Sequence, residues 1–178
     1  MSDAVTVSEV APTGMVSLRG DLADPALVTC VTGLTGAAMP PPLAITNGAK
    51  GQLAWMSPDE LLILIADPAA AVAQIAQALA GKHHLAVDVS DMRNAYALGG
   101  EGAREILAKV VPVDLHPSVF TPGSFRRTRV GQVAGAVWLE ADGVFRVIAF
   151  RSVGDYVATL LRQSAQDGTV GIWDEKAL

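Results

Sequence analysis

The sequence predicts an α+β fold of mostly antiparallel sheets with packed helices, arranged in split βαβ-like halves. From Glu60 onward, segments of helical periodicity and short apolar runs follow the order strand, helix, strand, strand, helix, strand, strand, helix, which breaks the strict alternation of a doubly wound parallel sheet. Two links between apolar runs are too short for a helical crossover: Ser90-Asp91-Met92, and the hairpin signal Ala141-Asp142-Gly143. The apolar content, 51% of 178 residues, suffices for a real core, since a chain of this length buries roughly 70% of its extended surface. The expected organisation is a single domain, 1–178, divisible into two intimately packed α+β halves of about 1–90 and 91–178.

The elements follow from local signals. Met15 to Leu18 reads as a strand, and Asp24-Pro25 opens a short helix through Val28 and Val31, although Thr29, Thr32 and Gly33 are poor helix formers. Met39-Pro40-Pro41-Pro42 is an extended connector. Gln52 to Trp55 and Glu60 to Ala66 are strands. The run Leu61 to Ala66, bordered by Pro58 and Asp67-Pro68, has the length of a buried strand and not of a membrane span. Asp67 caps a helix with Pro68 in its first position; Val72, Ile75, Ala76 and Leu79 share its buried face, and Gly81 lies past its end. Leu85 to Val89 and Asn94 to Leu98 are strands, followed by a helix burying Ala103, Ile106, Leu107 and Val110. Val133 to Leu139 and Phe145 to Phe150 are strands. The last helix has Ser152 and Asp155 at capping-box spacing, a stripe of Val153, Tyr156, Val157, Leu160 and Leu161 expected in the core, and Gly168 beyond it.

Composition narrows the partners. A net charge of −5 disfavours nucleic acid and anionic membrane, both of which need clustered positive charge. Charged residues are 17% where about 25% is usual, which points to a surface buried by a partner, although 29 alanines supply part of the apolar excess. The lone Cys30 fits a reducing compartment, and Asp3 and Glu9 stand where a secretory leader would be basic and then apolar, so a cytoplasmic location is expected.

Constellations that could carry chemistry each have a simpler reading. Gly99-Gly100-Glu101-Gly102 follows a strand and opens a helix, as a phosphate cradle would. Glu105 stands at the third glycine position and Glu101 brings a carboxylate, so the expectation is a tight structural turn. His83 and His84, if on a strand, point to opposite faces and cannot chelate one metal; His116 is the third imidazole. Ser57, Ser90, Ser118 and Ser152 have no base at motif spacing, and Cys30 reads as a small buried hydrophobe. Asp59, Glu60, Asp88 and Asp91 form a carboxylate pair only if the fold gathers them; turn and cap duty is the default. Arg126-Arg127-Thr128-Arg129 reads as an edge strand protected by charge, or as a grip for an acidic partner or polyanion, with Arg127 and Arg129 on one face. No residue is assigned as catalytic, cofactor-binding or metal-ligating.

One ordered set of motifs goes further. It comprises Val87-Asp88-Val89-Ser90-Asp91-Met92-Arg93, Gly100-Glu101-Gly102-Ala103-Arg104-Glu105-Ile106-Leu107-Ala108-Lys109, Pro112-Val113-Asp114-Leu115, Phe120-Thr121-Pro122-Gly123, Thr128-Arg129, and Arg151-Ser152 through Asp155-Tyr156. Together with the turn Trp55-Met56-Ser57-Pro58-Asp59-Glu60-Leu61-Leu62, this set resembles the γ subunit of heterotetrameric sarcosine oxidase. Ser57, Leu61 and Val153 depart from the residues common there, Gly, Trp and Phe. The resemblance implies a fold similar to the folate-binding domain of glycine-cleavage aminomethyltransferases. It also implies an accessory, non-catalytic role in a complex that oxidises sarcosine to glycine, one-carbon units and hydrogen peroxide. FAD, FMN, NAD, tetrahydrofolate and zinc would then lie in the partner alpha, beta and delta subunits, with none in this chain. The isolated chain is expected to be inactive and to self-associate through its uncovered surface. The alternative is a stand-alone folate-binding or one-carbon-transfer protein.

Overall fold

Asp24 and Asp67 each precede a proline, and in the computed structural model each carboxylate accepts a backbone N–H of the helix it opens, from Ala26 at 2.8 Å and Ala70 at 2.9 Å. The structure describes residues 5–11, 13–166, 168–169 and 171–173. Its elements are β1 (Thr6–Val10), β2 (Met15–Arg19), α1 (Pro25–Thr35), β3 (Ile45–Asn47), β4 (Gly51–Ser57), β5 (Glu60–Ile65), α2 (Pro68–Ala78), β6 (Leu85–Asp88), β7 (Arg93–Gly99), α3 (Ala103–Ala108), β8 (Phe125–Val130), β9 (Val133–Leu139), β10 (Phe145–Phe150) and α4 (Gly154–Gln166). They fall into two compact units, one within Pro12–Met92 and one combining residues of Met1–Ala11 with residues of Arg93–Leu178.

The first unit is a five-stranded antiparallel sheet in the order β3-β4-β5-β2-β6. Strands β5 and β6 both run antiparallel to β2, which lies between them, so they are parallel to each other with α2 as the crossover: a split βαβ. Val16, Leu18, Leu53, Leu61 and Ile63 on the sheet pack with Leu27 and Val31 of α1 and Ala71 and Ile75 of α2. The run from Leu61 to Leu64 is buried throughout, as its unbroken apolar character requires. Helix α1 ends at Gly36 in the left-handed conformation, φ 72°.

The second unit is a five-stranded antiparallel sheet in the order β1-β7-β10-β9-β8. Here α3 connects β7 to β8, strands that run in opposite directions with β10 and β9 between them, so no split βαβ forms. Tyr96, Leu98, Val137 and Val147 of the sheet share a core with Ile106 and Leu107 of α3, Val157 and Leu161 of α4, and Phe120. The Ala141-Asp142-Gly143 turn joins β9 to β10, with Gly143 at φ 82° and the Asp142 carboxylate accepting the Val144 N–H at 3.0 Å.

Several expectations are corrected. Strand β1 was not anticipated, and it belongs to the sheet of the second unit. Its residues are exposed or half-buried, and it pairs only with β7, Thr6 opposite Gly99, so it carries no apolar alternation of its own. Strand β3 has three residues, too few to show a period. Ser152 does not cap α4: Arg151–Val153 forms a 3-10 turn without a side-chain cap, and the helix starts at Gly154. Tyr156 is 42% exposed, outside the core stripe expected for it, and Ala76 on α2 is exposed. Helix α3 stops at Ala108, short of Val110. His83 and His84 lie just before β6 and not in a strand.

Candidate functional site

The glycine turn after β7 is built by packing. Gly100 has φ 99°, and a Cβ on Gly102 would lie 2.5 Å from Thr169 Cγ2 and 2.9 Å from Val5 Cγ2. The helix it opens has six residues, and Glu101 is exposed. Two neighbouring side chains of α3 are committed to the chain itself. The buried Glu105 carboxylate accepts the N–H groups of Gly171 at 3.0 Å and Ile172 at 3.1 Å. Arg104 donates to the carbonyls of Leu115 and Phe120 and stacks over Phe145, 5.0 Å to the ring centre. Sequence reasoning used Glu105 only to discount phosphate; adjacent Arg and Glu on a helix carry no local sign that both turn inward.

Asp59 and Glu60 do meet, around a cation. Arg19 Nη1 donates to Asp59 at 3.1 Å and Nη2 to Glu60 at 2.7 Å, while the Ser17 hydroxyl donates to Glu60 at 2.9 Å. The Ser57 hydroxyl, with Arg19 nearby, holds the Asp59 carboxyl below the usual carboxylate range. A carboxylate kept ionised in this way braces a turn and is unsuited to donating a proton near neutrality. Asp88 is used elsewhere: it accepts the Ser90 N–H at 2.9 Å and its hydroxyl at 2.5 Å, bonds that lower its pKa. Asp91 is exposed in the short 3-10 turn Ser90–Met92.

The structure does supply one base for a serine. Nδ1 of His116 lies 2.7 Å from the Ser118 hydroxyl and 3.2 Å from the Ser118 N–H. A backbone N–H can only donate, so Nδ1 is the acceptor. The Asp114 carboxylate, however, accepts the backbone N–H of His116 at 2.9 Å and so does not use this contact to orient the ring, and all three residues are exposed. This is a local turn and not a catalytic triad. His84 Nδ1 is 2.9 Å from the Lys82 carbonyl. Among the described residues no group of three or more His, Cys, Asp or Glu is placed to hold a metal ion, and no helix is long and apolar enough to cross a membrane. Cys30 is half-buried on α1, where burial pushes its thiol pKa up. It lines a groove of about 660 Å³ walled by small and amide residues, including Ala26, Gly33, Gln74 and Gln77.

The basic run Arg126 to Arg129 lies on β8, the edge of its sheet, with Phe125 and Val130 buried at its ends and Arg127 and Arg129 exposed on one face. Arg126 turns back over the Phe120 ring, 5.6 Å to its centre. Beside Arg129 is a cleft of about 600 Å³ lined by Lys109, Val111, Arg129, Gln132, Tyr156 and Leu160, among others. Gly131, φ 56°, also lines it, and a Cβ there would lie 2.5 Å from Tyr156 Oη.

The chain as a whole is similar to known proteins. The model of the "Sarcosine oxidase, gamma subunit family" matches residues 19–167. The chain belongs to this family. Gamma subunits of sarcosine oxidase from Arthrobacter sp and from Corynebacterium sp. strain U-96 are 27% and 28% identical over 150 residues, covering 82% of this chain and 72% and 71% of theirs. In fold, the chain is similar to a chain of the heterotetrameric sarcosine oxidase from Corynebacterium sp. U-96 in complex with pyrrole 2-carboxylate (TM-score 0.83, 23% identity, 92% of this chain and 84% of that one). It is also similar to the glycine cleavage system aminomethyltransferase T from Bartonella henselae (TM-score 0.63, 13% identity, 90% of this chain and 46% of that one). The aminomethyltransferase-like α+β fold expected from the motifs is therefore the one observed. In this gamma-subunit family member the motif residues do structural work: Asp88 and Ser90 turn β6 into β7, Gly100 to Lys109 forms α3, and Gly123, at φ 87°, donates its N–H to the Leu139 carbonyl at 2.9 Å.

Proposed function

We propose that this chain is an accessory, non-catalytic gamma subunit of a heterotetrameric sarcosine oxidase, stabilising partner chains that carry out the oxidative demethylation of sarcosine. The match of the gamma-subunit family over residues 19–167 carries this reading. The uses found for the polar groups support it: Asp59, Glu60, Asp88, Glu105 and Arg104 are each engaged in bracing a turn, a cap or a chain segment. On this reading FAD, FMN, NAD, tetrahydrofolate and zinc belong to the alpha, beta and delta subunits, and the assembly is cytoplasmic. The likeness in fold to aminomethyltransferase T favours one second reading, a stand-alone folate-binding or one-carbon-transfer protein.

Co-expression with the alpha, beta and delta subunits of a sarcosine oxidase separates the two. The accessory reading expects a yellow complex that contains this chain and releases hydrogen peroxide from sarcosine, with the lone chain colourless and inactive. A lone chain that carries flavin or oxidises sarcosine overturns it. A chain that joins no flavoprotein but quenches its tryptophan fluorescence on titration with tetrahydrofolate establishes the second reading.

A further inference from the structure

We propose that the cleft between Lys109 and Arg129 is a docking site for an acidic side chain of a partner subunit, an inference that rests on the accessory-subunit reading. Among the described residues its lining contains two cations and no carboxylate, within a chain whose net charge is −5. Nor does either cation form an ion pair among the described residues.

Side-chain donors of the lining residues keep N–H and O–H groups that no described residue accepts. Lys109 Nζ donates to the Ser164 carbonyl at 3.2 Å and the Gly168 carbonyl at 2.6 Å, which leaves one N–H of the ammonium. These bonds also tether the lysine to the end of α4. Arg129 Nη2 donates to Gln132 Oε1 at 2.9 Å and to its carbonyl at 3.3 Å, leaving Nε and Nη1 without a partner among the described residues. The Tyr156 hydroxyl accepts the Gln132 N–H at 3.3 Å and keeps its own proton to donate. Guanidinium and hydroxyl donors lining one cleft that Lys109 also borders call for a group that only accepts, and an ionised carboxylate is that group among protein side chains. Gly131 lets Tyr156 and Leu160 pack against the backbone beside Arg129, since Tyr156 Oη and Leu160 Cδ2 would lie 2.5 Å and 2.7 Å from any Cβ there.

Magnitude decides between a free carboxylate and one on a partner. An exposed charge pair strengthens binding by about fivefold at most, so two give about 25-fold, too little to hold a free metabolite. On a partner already held by other contacts, the same donors are desolvated and set register and orientation. Arg127, two residues before Arg129 on the same exposed face of the edge strand, extends the positive surface along which such a segment would approach.

The test uses the full chain and its co-expressed flavoprotein partners, with dissociation constants measured over a range of salt concentrations. Arg129→Glu is expected to weaken the complex by about tenfold or more and to flatten its salt dependence. Arg129→Gln should lose less, and Lys50→Glu, at an exposed position on the first unit, should bind as wild type. An unchanged melting temperature of the isolated variants shows that the fold is intact. Equal binding by Arg129→Glu and wild type overturns the docking site and leaves the accessory reading standing, as does equal weakening by Lys50→Glu. A wild-type chain that binds no flavoprotein overturns both. Succinate binding to the isolated chain with a Kd below about 100 μM, abolished by Arg129→Glu, assigns the cleft to a free carboxylate and overturns the partner.

Discussion

Arg19 and Glu60 face each other across β2 and β5, and the guanidinium Nη2 reaches the buried Glu60 carboxylate at 2.7 Å. Because Glu60 is 5% exposed, removing Arg19 takes an ion-pair partner from a buried carboxylate. Arg19 is itself half-exposed, which lowers the expected loss. Arg19→Met should cost about 1–3 kcal/mol in urea denaturation, less than the 3–5 kcal/mol typical of a fully buried broken pair. The double variant Arg19→Met/Glu60→Met should recover at least half of that loss.

Two glycines of the first unit should respond in opposite ways. Gly33 lies within α1 with nothing within 4 Å of a built Cβ, so Gly33→Ala should stabilise by about 0.5–1 kcal/mol. A Cβ on Gly48 would sit 2.3 Å from both the Ala37 nitrogen and the Thr35 oxygen, backbone atoms that cannot rotate away. Gly48→Ala should therefore cost about 2–4 kcal/mol. Chemical denaturation of the two variants side by side checks the contrast.

The stripe of α4 divides between two adjacent leucines. Leu161 is fully buried, and truncation to Ala should cost about 2–5 kcal/mol; Leu160 is only half-buried and should cost about 1 kcal/mol. Equal losses in melting experiments would contradict the orientation of this helix.

Acid should weaken the first unit. Asp24, Asp59 and Asp88 all have pKa values lowered from 3.8, with Lys82, Ser57 and Ser90 respectively as the main cause. A carboxyl whose pKa is lower in the folded state adds stability that is present above its unfolded pKa and lost as pH falls through the folded value. Stability should therefore drop below about pH 4, and Asp24→Asn, which loses the ionised partner of Lys82, should show a shallower pH dependence. Melting temperatures across the acid range measure both slopes.

Glu105 should control how firmly the segment around Gly171 and Ile172 is held. Replacing it with Ala removes two charge-assisted acceptors, worth about 1.5–3 kcal/mol each when buried. Chymotrypsin should then cut after Trp173 faster in Glu105→Ala than in the parent, and unchanged cleavage would show that the segment is held by other contacts.

The sequence by itself determined the features that act over a few residues. The Asp-Pro starts of α1 and α2, the Asp142-Gly143 turn, the buried run of β5 and the edge position of the Arg126 to Arg129 strand each follow from backbone sterics, capping or hydrophobic period. The family motifs were legible for the same reason, since most are short turns and caps. Tertiary structure decided what depends on partners distant along the chain. Strand β1 joins β7 because its edge is completed there, and nothing in its own five residues announces that pairing. Tyr156 leaves the core because Gly131 presents a surface for its hydroxyl, while helical period alone places it with Val157. Arg19 is drawn between Asp59 and Glu60, and Lys109 to the end of α4, by strand register and helix ends that no local spacing encodes. Such long-range contacts form only when a shared core brings the segments together and offsets the entropy of closing the loops between them, so they belong to the fold and not to the local sequence.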